Sequence, residues 1–151
     1  MTKAWDWNTP RPTGNLSLGK ILKNIALAYP NKQMIDATTG TVRTYREMNE
    51  RVKRIANGLL ESGCKMGDYI TVLTRWSLET QEMYFACARA GFVMIPVSYR
   101  LLPKEIENMM RYVGSKVIVF EQKFRFSVPN LSWFKEIRYR RGRGRGRIIS
   151  F

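Results

Sequence analysis

Three short, almost uninterrupted apolar runs constrain this chain more than any other feature: YITVLT at 69–74, FVMIPVS at 92–98 and KVIVFE at 116–121. A strand with one face in water alternates apolar and polar residues, whereas a strand covered on both faces has no need to. Between the runs, apolar residues recur at helical spacing. Over 78–90 they are Leu78, Met83, Tyr84, Phe85 and Ala88, and after Pro103 they are Ile106, Met109, Met110 and Val113. Strands of this kind, alternating with helices, predict an α/β fold: a mainly parallel sheet with right-handed crossover helices.

The local signals agree. Leu18, Ile21, Leu22, Ile25 and Ala28 predict a helix over 18–29, with Ser17 as N-cap and Pro30-Asn31 as its stop. MIDATTGTVRTY at 34–45 reads as a hairpin turning at Thr-Thr-Gly, where Gly40 supplies a positive φ. Thr44 and Glu47 have the T-x-x-E spacing of a capping box, opening a helix over 45–62. Its inner stripe is Met48, Val52, Ile55 or Ala56, Leu59 and Leu60; Arg46, Glu50, Arg51, Lys53 and Arg54 fall outside it, and the basic ones read either as a solvated face or as a patch facing nucleic acid. Gly63 and Gly91 stand at helix C-termini, and Gly67-Asp68 turns the chain into a strand. Pro103 takes the first position of the last helix, where its missing N–H costs nothing. Tyr69, Phe92 and Phe120 bound the strands and are expected in the core. Three regions follow: a Pro/Gly/Trp-rich extended arm at 1–15, an α/β unit at 16–121, and a weakly structured end at 122–151 with a short strand at 136–139. A sheet of this size is expected to leave an apolar edge exposed and to be poorly soluble.

Composition matters here for what it removes. The chain contains no histidine, which excludes Ser–His and Cys–His nucleophiles and HExxH zinc sites. Cys64 and Cys87 lack metal-ligand spacing and read as reduced core thiols of a cytoplasmic protein. No apolar run is long enough to span a bilayer, and the N-terminus has no signal-peptide pattern. The pairs Glu47/Glu50, Glu79/Glu82 and Glu105/Glu107 read as structural; two of the three lie in first helical turns, where they complement the helix dipole. No residue is a catalytic candidate, and no set of residues is a metal site.

Net charge is +14, and RYRRGRGRGRIISF at 138–151 concentrates it, with six arginines in ten positions. Arg-Gly segments bind RNA through phosphate neutralisation and stacking, so a nucleic-acid partner at 138–147 is one reading. The glycines there precede no helix and make no phosphate cradle, and no GxxxxGK[ST] occurs.

A collinear set of short motifs points elsewhere. Thr44, Tyr45 and Glu47 open TYREMNERVKRIA; Leu60, Gly63, Cys64, Gly67, Asp68 and Ile70 follow. Then come Glu79, Tyr84, Phe85, Ala86, Arg89, Gly91 and Pro96, the segment Arg100, Leu101, Pro103, Glu105 and Ile106, and finally Ser115 to Val119. Over 16–121 this pattern resembles the N-terminal region of AMP-forming acyl-CoA synthetases, in the adenylate-forming ligase superfamily. The resemblance implies a partial N-terminal subdomain of an enzyme that makes an acyl-adenylate from ATP and a carboxylic acid and then a thioester with CoA, with Mg²⁺ at the phosphates. It also implies that Arg100 lies near a CoA phosphate. The family's Thr/Ser/Gly-rich ATP loop, its ribose-binding acid and its mobile-domain lysine have no counterpart in these 151 residues. The expectation is therefore an N-terminal piece, inactive alone, whose partners are the remainder of the ligase and, in the full enzyme, a small carboxylic acid. A non-catalytic partner of a separate ligase chain is a further alternative.

Overall fold

The computed structural model describes residues 17–115, 117–129, 135–139 and 148–150, the last two segments as backbone. The arm predicted at 1–15 and the Arg-Gly stretch at 140–147 lie outside them.

The first helix, α1 (Leu18–Ala28), leads to a small antiparallel hairpin, β1 (Gln33–Ile35) and β2 (Val42–Thr44). Then follow α2 (Tyr45–Glu61), β3 (Tyr69–Leu73), α3 (Leu78–Ala90), β4 (Val93–Val97), α4 (Pro103–Val113) and β5 (Val117–Glu121). A 3₁₀ helix (Gln122–Ser127), β6 (Lys135–Tyr139) and β7 (Ile148–Ser150) complete the described elements. The main sheet has the order β4-β3-β5-β6-β7. Its first four strands are parallel and β7 joins antiparallel.

From β3 to β4 the chain steps outward, and from β4 to β5 it steps back across β3. Crossovers of one hand must then lie on opposite faces, and the two cores show that they do. On one face Ile70, Val72, Val117 and Val119 pack with residues of α1, α2 and α3, including Leu22, Val52, Leu59 and Met83. On the other, Leu73, Ile118 and Phe120 pack with Ile106 and Met110 of α4 and with Val128. Both faces of β3 and β5 are covered, which is why their sequences do not alternate.

The helix ends follow the sequence signals with one exception. The Thr44 hydroxyl accepts from the Glu47 N–H at 3.2 Å while the Glu47 carboxylate accepts from the Thr44 N–H at 2.8 Å, the two halves of a capping box. Leu102 has no acceptor to offer α4, but Glu105 accepts its N–H at 2.7 Å, so half the box remains. Ser17 does not cap α1 with its side chain; its carbonyl accepts from the Lys20 and Ile21 N–H groups, at 2.8 and 3.2 Å. Gly91 closes α3 at φ 77°, where a Cβ would also meet Met66 Cγ at 2.6 Å. Gly19 lets α1 cross α3: a Cβ there would fall 2.7 Å from the Ala88 carbonyl oxygen.

Three readings are corrected. Arg51 is not on the solvated face of α2; it is 7% exposed. Its Nε donates to Glu82 Oε1 at 2.6 Å, and Arg43 from β2 pairs with Glu79 at 2.7 Å and with Glu82 at 3.1 Å. Two cations and two anions thus cancel between α2, α3 and the hairpin, and the dipole role assigned to the Glu79/Glu82 pair is secondary. Tyr69 is 41% exposed because β3 is only entering the sheet there. Strand β4 is an edge, with Val93 and Pro96 exposed; Pro96 lacks a donor and blunts that edge against further pairing. Phe92 and Phe120 are buried as expected. Neither Cys64 nor Cys87 is in a disulfide, and both are buried.

Candidate functional site

Parallel α/β sheets bind ligands beyond the carboxyl ends of their strands, in the crevice where the winding reverses. Here the reversal falls between β3 and β5, so the segments leaving β3, β4 and β5 form the candidate site.

Each segment is held by its own bonds. After β3, the Arg75 carbonyl accepts from the Thr80 hydroxyl, and Thr74 Oγ1 lies 3.0 Å from Thr80 Oγ1. Glu121 at the end of β5 spans the crevice: its Oε1 accepts from the Arg75 N–H at 3.0 Å, and its Oε2 pairs with Lys123 Nζ at 2.6 Å. After β4, the Ser98 hydroxyl accepts from the Arg100 N–H at 3.3 Å. With their backbones fixed in this way, Arg75, Trp76, Tyr99 and Arg100 present exposed side chains at the strand ends.

The exposed groups are cations and aromatic rings. Tyr99 stacks on Phe124 with ring centroids 5.3 Å apart. Arg100 Cζ lies 5.8 Å from the Tyr99 centroid and Lys123 Nζ lies 4.8 Å from that of Phe124. Trp76 is 79% and Phe126 95% exposed. Among the described residues, no carboxylate lies within ion-pair distance of the Arg75 or Arg100 side chain. Guanidinium groups beside open aromatic faces suit a phosphate-bearing ligand with a planar ring.

Where carboxyl pKa values move clearly in this molecule, at Asp36, Glu47, Glu50, Glu79 and Glu107, they move down. For Glu79, burial is the largest influence and opposes ionisation, and the bond from Arg43, the charge of Arg43 and bonds from Ser77 and the Glu79 N–H together outweigh it; for Glu107, the bond from Arg111 leads. None of these groups is a neutral acid at pH 7. Among the described residues no group of three or more Cys, Asp or Glu side chains is placed to hold a metal ion. The strand-end residues fit a nucleotide phosphate and, among the described residues, bring no carboxylate cluster to it for Mg²⁺.

The remaining motif residues lie elsewhere. Gly63, Gly67, Asp68 and Gly91 gather at the start of β3: Gly67 N–H donates to the Gly91 carbonyl at 2.8 Å, Asp68 accepts the Lys65 N–H at 2.7 Å, and the Asp68 carbonyl takes the Val93 N–H at 2.9 Å. Thr44, Tyr45 and Glu47 start α2, with Tyr45 against the first core. Pro96 lies in register with Val72. Of the motif residues named from sequence, Arg100 is the charged one that lies at the strand ends. Sequence reasoning missed Trp76, Tyr99 and Phe124. Their signal was positional, an aromatic or basic residue one to four positions beyond an apolar run.

Comparison with known proteins places the fold in a family. Residues 22–141 match the family described as AMP-binding enzyme. A feruloyl-CoA synthase of Amycolatopsis sp is 36% identical over 80 residues, 53% of this chain and 16% of that protein. The long-chain-fatty-acid–CoA ligase FadD13 of Mycobacterium tuberculosis is 29% identical over 105 residues, 69% of this chain and 21% of that one. The crystal structure of the N-terminal domain of FACL13 from Mycobacterium tuberculosis superposes with a TM-score of 0.67 at 28% identity, over 71% of this chain and 28% of that chain. The chain belongs to the AMP-binding enzyme family and is an N-terminal region of an adenylate-forming ligase. It spans 16% to 21% of the length of these curated relatives. Among the described residues, no helix is long and apolar enough to cross a membrane.

Proposed function

We propose that this chain supplies the N-terminal subdomain of an acid–CoA ligase. In the full reaction a carboxylate attacks the α-phosphorus of ATP, giving an acyl-adenylate and releasing pyrophosphate. The CoA thiolate then attacks the acyl carbon and AMP leaves. ATP and CoA are thus the small molecules of the proposal, a carboxylic acid is its substrate, and Mg²⁺ at the phosphates is proposed to be held by the remainder of the ligase. The observation that carries the reading is the cationic and aromatic strand-end surface, in a chain whose relatives include a feruloyl-CoA synthase and a long-chain-fatty-acid–CoA ligase. Arg100, steadied against Tyr99, is the proposed contact to a CoA phosphate.

The chain alone is proposed to be inactive, because its described residues supply no activating acid, base or phosphate cradle. The rest of the ligase is its proposed partner, in the same polypeptide or a separate one, and a cytoplasmic setting goes with its reduced thiols. ATP–pyrophosphate exchange tests the proposal directly. The chain alone is expected to show none, and a FadD13-type ligase carrying this chain in place of its own matching segment is expected to show exchange. Thioester formation by the chain alone, or a folded but silent chimera, overturns the reading.

The charge of the 138–147 segment keeps a second reading in view, an RNA partner. Retention on RNA that is unchanged when 137–151 is removed overturns that reading.

A further inference from the structure

A groove between α1 and α2 is not used by the proposed reaction. It shares no residue with the strand-end site, and its volume is about 340 Å³, within the range of small-molecule sites. Ala26 and Pro30 give it an apolar floor and the exposed Leu27 an apolar rim, while Lys23 from α1 and Arg46 and Lys53 from α2 line it with cations. Glu50 is the one carboxylate in the lining, and Lys53 already holds it at 2.7 Å. Arg46 reaches only the neutral Asn31, at 3.2 Å, and Lys23 has no side-chain partner among the described residues. Three cations against one anion leave the groove at +2. Like charges brought to one concave surface repel unless a counter-charge joins them, and this surface pairs them with apolar contact.

We propose that the α1–α2 groove binds a phosphate monoester carrying a short apolar tail. The charge selects the headgroup: a phosphate monoester carries about −1.5 to −2 at neutral pH, matching the excess, whereas a carboxylate supplies half of it. The apolar floor selects against free inorganic phosphate. The inference is independent of the ligase reading, since it uses only the helical layer.

Calorimetric titration of the full chain with hexyl phosphate, inorganic phosphate and hexanoate tests it. Hexyl phosphate is expected to bind about tenfold or more tightly than either of the others. Lys23→Glu with Arg46→Glu is expected to weaken it by about tenfold or more. Arg54→Glu with Lys65→Glu makes the same change in net charge outside the groove and is expected to leave binding unaltered, as both doubles are expected to leave the melting midpoint. Leu27→Ser is expected to remove the preference over inorganic phosphate. Equal weakening by both doubles overturns the site in favour of net charge. Equal binding of the three probes, or a response to phosphatidic-acid vesicles with none to hexyl phosphate, also overturns it.

Discussion

Arg43 and Arg51 are buried against Glu79 and Glu82 between the hairpin, α2 and α3, whereas the side chains of Arg75 and Arg100 are exposed beyond the strand ends with no carboxylate partner among the described residues. The residue type is the same and the physics is opposite. Removing a charge from water costs several kcal/mol, repaid only where geometry and counter-charge are both good. The buried region meets that condition with matched cations and anions, and its charges are committed to the fold. The exposed region pays no desolvation cost in the free protein, so its charges remain available to a ligand. The sheet end keeps two arginine side chains without an ion-pair partner beside Tyr99 and Trp76, as the proposed ligand contact requires, whereas the helix interface pairs its two arginines within the fold.

Breaking the buried set is expected to have the largest effect. Glu82→Gln leaves Arg43 and Arg51 buried with one fewer counter-charge, and the expected loss of stability is about 3–5 kcal/mol, read by denaturant unfolding; an unchanged midpoint would erase the contrast between the two regions. Acid probes the same cluster. The folded pKa of Glu79 lies below the ordinary 4.5, so its contribution is present above that pH and is lost as pH falls through the folded value. Melting midpoints are expected to fall as the solution is acidified below 4.5, less steeply in Glu79→Gln. Thr44→Ala removes the hydroxyl that caps α2 and is expected to cost about 1 kcal/mol. At the strand ends, Arg100→Glu and Trp76→Ala are expected to stay within about 0.5 kcal/mol of the parent; a loss comparable to that of Glu82→Gln would make that surface structural as well.

The core supplies a control on compactness. Burial pushes the Cys87 thiol up to about 12, with the neighbouring Cys64 adding to the shift. The thiolate is the reactive form, so alkylation of the native protein at about pH 8 is expected to be slow and to accelerate only on unfolding. Fast native-state labelling of Cys87 would show that the helical layer opens locally.

The sheet was legible because its evidence is periodic: runs such as YITVL and KVIVF have one physical explanation, burial on two faces. The α2 cap was legible because Thr44 and Glu47 satisfy each other locally. Arg51 was not, since its partner Glu82 lies 31 residues away and no local rule pairs them. The stack of Tyr99 on Phe124 was hidden for the same reason, being created when parallel pairing aligns the ends of β4, β3 and β5. Local sequence reported the frame, and the site arose from the register.

Two-dimensional ¹⁵N NMR of the full chain, titrated with CoA, tests the division of roles most directly. The expected result is a set of shifts confined to the ends of β3, β4 and β5, at Arg75, Trp76, Tyr99, Arg100 and Lys123, and lost in Arg100→Glu with the rest of the spectrum intact. Shifts centred on Arg43 and Arg51, or shifts at the strand ends that survive Arg100→Glu unchanged, would contradict it.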